Sequence, residues 1–295
     1  MAFVPLLEQR RAEIESIRCE SYQYGPTNRH MLDMYYPPTT SITGGVRAPV
    51  LFLAYGGGFG TGERAYRSPI DLIYRNVGAF FAQHGICFVV PDYRLVPDAK
   101  FPQPAEDLRD AICWLVDHAE DVADLDTIDI ENIFVLGHCT GANLIMTMLL
   151  LPGMLSPGFR PRIRGIMLMG GLYSVIEGGR SVNHAVIAQY YGDKQQMESR
   201  APLALLTDAP DEVIQKLPNI LLLLSEREPP DIDASNDSFV AVLLRRLIAF
   251  DLFVMEGHNH ISPEPALGTG QGEEWATRII RWMGAKLVHD SVSVL

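Results

Sequence analysis

The 295-residue sequence predicts an α/β protein with one open, mostly parallel sheet of eight strands and helices on both faces. Several strand segments are continuous apolar runs, which is typical of parallel strands covered on both faces. Strand segments also alternate with helical ones, which favours right-handed crossovers. Because apolar residues make up 47% of the chain, we expect a single domain over residues 1–295 with one large core.

The predicted elements follow a regular order along the chain. Two short strands are expected within residues 20–37, around the turn Gly25-Pro26-Thr27-Asn28. The polar loop SITGGVR precedes a series of further strands and helices, which are APVLFLA, Ile70–His84, GICFVVP, Pro104–His118, IFVLGHC, ANLIMTMLLL, RGIMLMGG, NILLLLSE, Phe239–Ala249, DLFVMEGH and Glu273–Leu287. Ligands of such sheets bind beyond the carboxyl ends of the strands, so functional residues are sought there.

Charge and cysteine content argue against several classes of function. The net charge is −12 and the chain has no basic run, which argues against nucleic acid or an anionic membrane as partner. No apolar run approaches the ~18 residues of a membrane span, and the segment MAFVPLLEQRRAEIES lacks a signal-peptide apolar region. The four cysteines form no C-x-x-C pair, so no zinc site or disulfide framework is indicated. We expect a cytoplasmic monomer or homodimer that binds a small molecule.

A glycine-rich turn follows the third predicted strand. Tyr55-Gly56-Gly57-Gly58-Phe59 comes directly after the apolar residues LFLA. Glycines allow the backbone to direct its N–H groups outward without a Cβ in the way. Two N–H groups aimed at one point stabilise the negative charge of a tetrahedral intermediate. The same residues are also compatible with an ordinary tight turn.

A second motif, Gly137-His138-Cys139-Thr140-Gly141, lies between a predicted strand and a predicted helix. This context presents the central side chain to a pocket, and the flanking glycines leave room for a crowded turn. Cys139 would also lie at a helix N-terminus, where the partial positive charge favours a thiolate. The alternative is a small buried cysteine without a catalytic role.

Acids and histidines follow the last two predicted strands. Four carboxylates come at the end of NILLLLS or soon after it: Glu226, Glu228, Asp231 and Asp233. His258 and His260 lie within FVMEGHNHIS. The chain order nucleophile, acid, histidine is the order expected for a catalytic triad of this strand–turn–helix architecture.

With these motifs, the chain resembles the α/β-hydrolase superfamily over nearly its whole length, and more closely the hormone-sensitive-lipase-like esterases and the kynurenine formamidases. The residues that carry the resemblance are YGGGF at 55–59, PDYRLVPDAKFPQPAEDLRDA at 91–111, GHCTGAN at 137–143, EREPP at 226–230 and GHNH at 257–260. The resemblance implies an α/β-hydrolase fold with a small helical lid. We expect the lid to come from the N-terminal segment and from about 174–217.

The resemblance also implies a role for each motif residue. It assigns Cys139 as the nucleophile, Glu228 as the acid and His260 as the base. It assigns the oxyanion donors to Gly57, Gly58 and Thr140. Asp231 and Asp233 stay open as alternatives for the acid, and His258 is expected to form hydrogen bonds within its loop. Three neighbouring residues are predicted to contact substrate: Tyr55, Phe59 and His138.

Two residues depart from the family pattern, because Tyr55 replaces the usual histidine and Cys139 the usual serine. Dienelactone hydrolases are similar in carrying a cysteine at this turn. Since a thiolate is a good leaving group, Cys139 predicts hydrolysis or acyl transfer of an activated ester, lactone or thioester, without metal or cofactor. An acceptor within the substrate would make the protein a cyclase or lactonising enzyme. Two alternatives stay open, an ordinary serine esterase or formamidase with an engineered Ser-to-Cys exchange at 139, and a non-catalytic ligand-binding protein on a hydrolase frame.

Overall fold

Across the described part of the chain, eight strands form one sheet. The computed structural model describes residues 2–41, 47–122, 125–176 and 178–292, so most of the polar loop predicted at 41–47 lies outside the described residues. In chain order, the strands are β1 Cys19–Gln23, β2 Met31–Tyr35, β3 Ala48–Ala54, β4 Cys87–Pro91, β5 Ile128–His138, β6 Ile163–Met169, β7 Asn219–Arg227 and β8 Asp251–Asn259. Their spatial order is β1-β2-β4-β3-β5-β6-β7-β8.

The sheet is mostly parallel. β2 pairs in antiparallel fashion with β1 and β4, whereas the neighbouring pairs from β4–β3 to β7–β8 are parallel. The predicted fold class is therefore confirmed. Because the later strands are parallel, their carboxyl ends meet at one edge of the sheet.

The central strands are covered on both faces. Phe52 of β3 lies in register with Val89 of β4 and Val135 of β5, and all three side chains are fully buried. Leu51 and Phe88, which point to the opposite face, are fully buried as well. This burial explains the continuous apolar runs in the sequence, and each such side chain contributes roughly 1.5–3 kcal/mol.

Twelve α-helices are found in the described residues: α1 Val4–Gln9, α2 Arg11–Glu15, α3 Leu72–Gln83, α4 Gln103–Asp117, α5 Thr140–Leu150, α6 His184–Tyr191, α7 Lys194–Arg200, α8 Pro202–Asp208, α9 Asp211–Ile214, α10 Pro230–Arg245, α11 Pro263–Ala266 and α12 Glu274–Val292. α5 packs against β5, α3 against β4, and α12 against β6 and β8. A search of the described residues finds no helix with the length and hydropathy of a membrane span.

The helix predicted at Phe239–Ala249 is α10, which already begins at Pro230. Proline is favoured in a first helical turn because its missing N–H would have no partner there. Asp231 and Asp233 lie in the same turn, where the helix dipole stabilises carboxylates. The predicted start is wrong because it followed apolar spacing, whereas these terminal preferences set the start of the helix.

The segment between β6 and β7 contains the four short helices α6 to α9. Tyr190 and Tyr191 of α6 are buried, and α8 packs against α5 and α10. These helices are therefore anchored on the body of the domain. Residues near the start of α6 lie close to the edge of the sheet where the functional motifs meet, as described next.

Candidate active site

Cys139 occupies a sharp turn between β5 and α5. Its φ of 53° and ψ of −114° form a combination that side chains rarely adopt and that costs about 1–3 kcal/mol. The Cys139 N–H donates a hydrogen bond to the Met169 carbonyl at the end of β6, at 2.9 Å. The side chain lines a cavity although only 7% of the residue is exposed. A strained turn that directs a thiol into a cavity is the geometry of a nucleophile elbow.

Close backbone packing requires the two glycines that flank this turn. A Cβ on Gly141 would lie 1.8 Å from the carbonyl oxygen of Ala54 in β3. A Cβ on Gly137 would lie 2.6 Å from the backbone nitrogen of Ala142. Neither position can accept a side chain unless β3, β5 or α5 moves.

We expect Gly141→Ala to lower the free energy of unfolding by more than about 3 kcal/mol, because its Cβ would displace the backbone of β3. Chemical denaturation measures this loss. Gly158→Ala is the matched control, since no atom lies within 4 Å of its Cβ position, and its change should stay within about 0.5 kcal/mol. Equal stabilities of the two variants would contradict the close approach at Gly141.

The glycine turn after β3 lies against Cys139. The Cβ position of Gly56 is 3.1 Å from the Cβ of Cys139. Gly57 and Gly58 have φ values of 139° and 61°, which favour glycine. Among the hydrogen bonds of the described residues, none uses the N–H groups of Gly57, Gly58 or Thr140. These three groups are therefore available to a bound ligand.

His260 is held between a carboxylate and the thiol. Nδ1 of His260 lies 2.6 Å from Oε2 of Glu228, and Oε1 of Glu228 accepts a hydrogen bond from the Ser225 N–H at 3.0 Å. His260 and Cys139 line the same cavity, and the thiol is near enough to raise the pKa of His260. Gly170 leaves room for the pair, because its Cβ would lie 2.8 Å from Oε1 of Glu228 and 3.0 Å from Nδ1 of His260.

Burial and hydrogen bonding act in opposite directions on this pair. Burial lowers the pKa of His260, but the interactions with Cys139 and Glu228 raise it to about 9. Burial raises the pKa of Glu228, but the hydrogen bond and charge of His260 and the Ser225 N–H hold it below its usual value. Glu228 is therefore a carboxylate at neutral pH, and His260 readily takes up a proton.

A cavity of about 800 Å³ opens beside Cys139 and His260, within the size range of small-molecule sites. Gly57, Gly58 and His138 also line it. Much of the remaining lining is apolar and includes Phe3, Ile70, Ile73, Val182, Val186 and Ile261. The cavity therefore combines a polar end at the thiol with an apolar body.

Comparison with known proteins identifies the family. A family model described as alpha/beta hydrolase fold matches residues 51–233, more than half of the chain. The chain belongs to the alpha/beta hydrolase fold family. The matched region contains the glycine turn, the nucleophile elbow and Glu228.

Named members of the alpha/beta hydrolase fold are similar over part of the chain. Hydrolase 4 of Catharanthus roseus is 27% identical over 132 residues, which are 41% of each chain. Probable carboxylesterase 3 of Arabidopsis thaliana is 27% identical over 128 residues, 43% of this chain and 38% of the plant chain. An esterase of Gibberella moniliformis (strain M3125 / FGSC 7600) is 23% identical over 195 residues, 61% of this chain and 57% of the fungal one. The matches to the two plant proteins span about two fifths of their length.

Solved structures are similar in fold to nearly the whole chain. Esterase B from Lactobacillus rhamnosis (HN001) has a TM-score of 0.74 at 14% identity and covers 99% of this chain and 97% of its own. A fungal esterase from Rhizomucor miehei has a TM-score of 0.71 at 18% identity, with 96% and 91% covered. At these identities, the likeness shows the fold alone.

In this alpha/beta hydrolase fold, Tyr55 and Phe59 flank the glycine turn but are not among the residues that line the cavity. The Tyr55 hydroxyl donates to Oδ1 of Asp92 and accepts from Nη2 of Arg29, both at 2.7 Å. The Phe59 ring stacks on Tyr190 of α6, with 3.8 Å between ring centroids. Both side chains therefore stabilise the glycine turn, and the cavity lining does not support their predicted contact with substrate.

The second histidine of the GHNH motif stabilises its own loop. Nδ1 of His258 lies 2.9 Å from the Ser262 hydroxyl, and its Nε2 lies 2.8 Å from the Gly272 carbonyl. The predicted role of His258 in loop hydrogen bonding is confirmed. Both ring nitrogens are therefore engaged away from Cys139.

The two alternative acids lie on α10. Asp231 accepts a hydrogen bond from the N–H of Ser181 at 2.9 Å, and Asp233 is exposed. Among the hydrogen bonds of the described residues, neither carboxylate contacts His260, whereas Glu228 does. The geometry therefore favours Glu228 over both alternatives.

Two features of this site were not predicted from the sequence. Gly170 accommodates the acid–histidine pair, and Glu264 pairs with His138 at 3.0 Å in the cavity. The Glu264–His138 pair had one signal in the sequence, because Glu264 lies only four residues after His260. A glutamate between two prolines also fits an exposed turn, so this signal did not identify the pair. Within the described ranges, no group of three or more potential ligands could hold a metal ion.

Proposed function

We propose that the protein is an acyl hydrolase or acyl transferase in which Cys139 is the nucleophile, His260 the base and Glu228 the orienting acid. The observation that supports this best is the position of His260, which is hydrogen-bonded to Glu228 and lines the same cavity as Cys139, whose thiol raises its pKa. Names of relatives such as carboxylesterase and esterase support acyl hydrolysis. The available N–H groups of Gly57, Gly58 and Thr140 complete the proposed machinery.

In the proposed reaction, His260 accepts the thiol proton and the Cys139 thiolate attacks the acyl carbon. Negative charge then develops on the former carbonyl oxygen, which the N–H groups of Gly57, Gly58 and Thr140 stabilise. Each such donor contributes roughly 2.7–4 kcal/mol in comparable sites. The intermediate collapses, the bond to the leaving group breaks, and the imidazolium donates its proton to that group.

A thioester on Cys139 remains after this first step. A water molecule or an acceptor hydroxyl or amine loses a proton to His260 and attacks the thioester carbon. The thiolate leaves and recovers the proton from the imidazolium. Both halves of the cycle therefore use the same base, and the identity of the second nucleophile decides between hydrolysis and acyl transfer.

The thiolate limits the class of substrate. The first tetrahedral intermediate expels the better leaving group, so an alkoxide or amide anion competes poorly with a thiolate. Activated esters, lactones and thioesters carry leaving groups that compete well. The apolar body of the cavity supports a substrate with a medium-sized apolar group.

The cover of the cavity is also part of the proposal. Residues 2–4 and four residues between 181 and 186 line the cavity, and none of them belongs to the sheet motifs. We therefore assign the lid to the N-terminal segment and to the start of α6. Phe3 and Val182 would contact the apolar part of the substrate.

Intact-mass spectrometry after mixing the protein with an activated acyl donor tests the covalent step. A p-nitrophenyl ester, a thioester and an aromatic lactone should each be tried. We expect a mass increase equal to the acyl group, its removal by neutral hydroxylamine, as for a thioester, and no increase in Cys139→Ala. Absence of both adduct and turnover with all three donors would exclude covalent catalysis and favour the ligand-binding alternative.

A further inference from the structure

A second imidazole–carboxylate pair lies beside the proposed triad. Nδ1 of His138 lies 3.0 Å from Oε1 of Glu264, a distance typical of an ion pair although its angles fall outside those of a normal hydrogen bond. Both residues line the cavity, and they are only 7% and 4% exposed. The proposed mechanism uses neither residue.

This pair connects the two chain segments that carry the reacting groups. His138 directly precedes Cys139, and Glu264 lies on α11, four residues after His260. The ring centroids of His138 and His260 are 4.7 Å apart, at an interplanar angle of 48°. A contact between His138 and Glu264 therefore fixes the elbow relative to the histidine loop.

The charges of this region are coupled. Burial lowers the pKa of His138, but the contact with Glu264, the charge of Glu228 and the His260 backbone together outweigh burial and raise it. Burial raises the pKa of Glu264, but the charge of His138 holds it below its usual value. The positive charge of His138 in turn lowers the pKa of His260. The other titratable groups near this pair are Glu228 and His260, which act on His138, Tyr66 and Tyr74, on which Glu264 acts, and Cys139, which lines the same cavity.

We propose that His138 and Glu264 are positioning residues that hold His260 against Cys139 and limit how firmly His260 retains its proton. This inference rests on the proposed function, because it assigns the pair to the same reaction. The charge on His138 opposes a second charge on the neighbouring ring, so the His260 imidazolium releases its proton to the leaving group more readily. Without the pair, His260 would keep its proton to higher pH and its ring would be less firmly placed.

The test measures the rate at which iodoacetamide alkylates Cys139 between pH 5 and 10, followed by mass spectrometry. In the parent protein we expect an upper transition at about pH 9, where His260 loses its proton. His138→Gln removes the opposing charge, and Glu264→Gln removes the partner that keeps His138 charged. Both variants should move this transition to higher pH and reduce acylation by an activated ester about 10- to 100-fold.

His30→Gln is the matched control, because His30 is also buried beside a carboxylate, Asp107 at 3.3 Å, but does not line the cavity. We expect this control to lose stability without moving the transition. Unmoved transitions and unchanged acylation per folded molecule in both test variants would overturn the proposal. If neither variant folds, nitrogen chemical shifts of His138 in the parent decide, since a neutral ring at pH 7 would overturn it as well.

The two proposals can fail separately. A parent protein that shows neither an acyl adduct on Cys139 nor turnover of any of the three donors contradicts the proposed function. A parent that forms the adduct, with variants that retain its pH profile, contradicts only the role of His138 and Glu264. The alkylation measurement needs no substrate and therefore reports on the thiol–imidazole pair in either case.

Discussion

Replacement of Cys139 by alanine is expected to lower kcat/KM for an activated ester by about 10⁴-fold or more, because no acyl-enzyme can form. The residual rate would come from the cavity and the oxyanion donors alone. Steady-state kinetics with a p-nitrophenyl ester measure the loss, and active-site titration with iodoacetamide confirms the number of reactive thiols. A loss of less than tenfold would show that the reaction does not pass through this sulfur.

Cys139→Ser tests whether the site is built around a thiol or around a hydroxyl. An enzyme whose site is built around a thiol should lose activity with serine, because a hydroxyl gives up its proton far less readily than a thiol. A site built around serine, in which Cys139 results from an engineered exchange, should instead gain esterase activity sharply. A gain would therefore contradict the proposed cysteine nucleophile and leave the triad position intact.

Glu228→Gln is expected to lower kcat by about 10³- to 10⁴-fold, because the amide can no longer orient and stabilise the His260 imidazolium. The change is nearly isosteric, so the hydrogen bond that Oε1 of Glu228 accepts from Ser225 can persist. Burst kinetics with an activated ester separate slower acylation from slower release. The expected loss of kcat is this large although Glu228 acts only through His260 and does not contact the acyl carbon.

Asp233→Asn is the matched control for Glu228→Gln. Asp233 belongs to the same acidic segment and was an alternative for the acid, but it is exposed on the first turn of α10. We expect its kinetics to stay within about twofold of the parent, since surface changes away from a site usually have small effects. Equal losses in the two variants would remove the special role of Glu228.

Sequence patterns predicted the sheet and the meeting of the motifs, because both depend on local signals. Apolar runs such as the one around Phe52 identify strands buried on both faces, and parallel strands bring their carboxyl ends together. Cys139, Glu228 and His260 each follow a strand, so their convergence follows from topology. Gly137 and Gly141 carried a further signal, because a Cβ would meet the start of α5 at Gly137 and the end of β3 at Gly141.

The remaining features depend on contacts between distant segments, which local patterns do not contain. The Tyr55 hydroxyl reaches Asp92, at the end of β4, and Arg29, which precedes β2. Glu264 of α11 meets His138 at the end of β5, although the two residues are far apart in the sequence. Neither pairing has a characteristic spacing in sequence, so only the three-dimensional arrangement shows it.

The stacked rings of Phe59 and Tyr190 join the glycine turn to α6, whose first residues border the cavity. In the proposed function, this contact couples the cavity wall that would contact the substrate to the N–H groups that would stabilise negative charge. A ligand that pushes α6 aside also disturbs the alignment of Gly57 and Gly58. The protein should therefore discriminate between substrates in the acylation step as well as in binding. A poorly shaped acyl group would react slowly even when the protein is saturated with it.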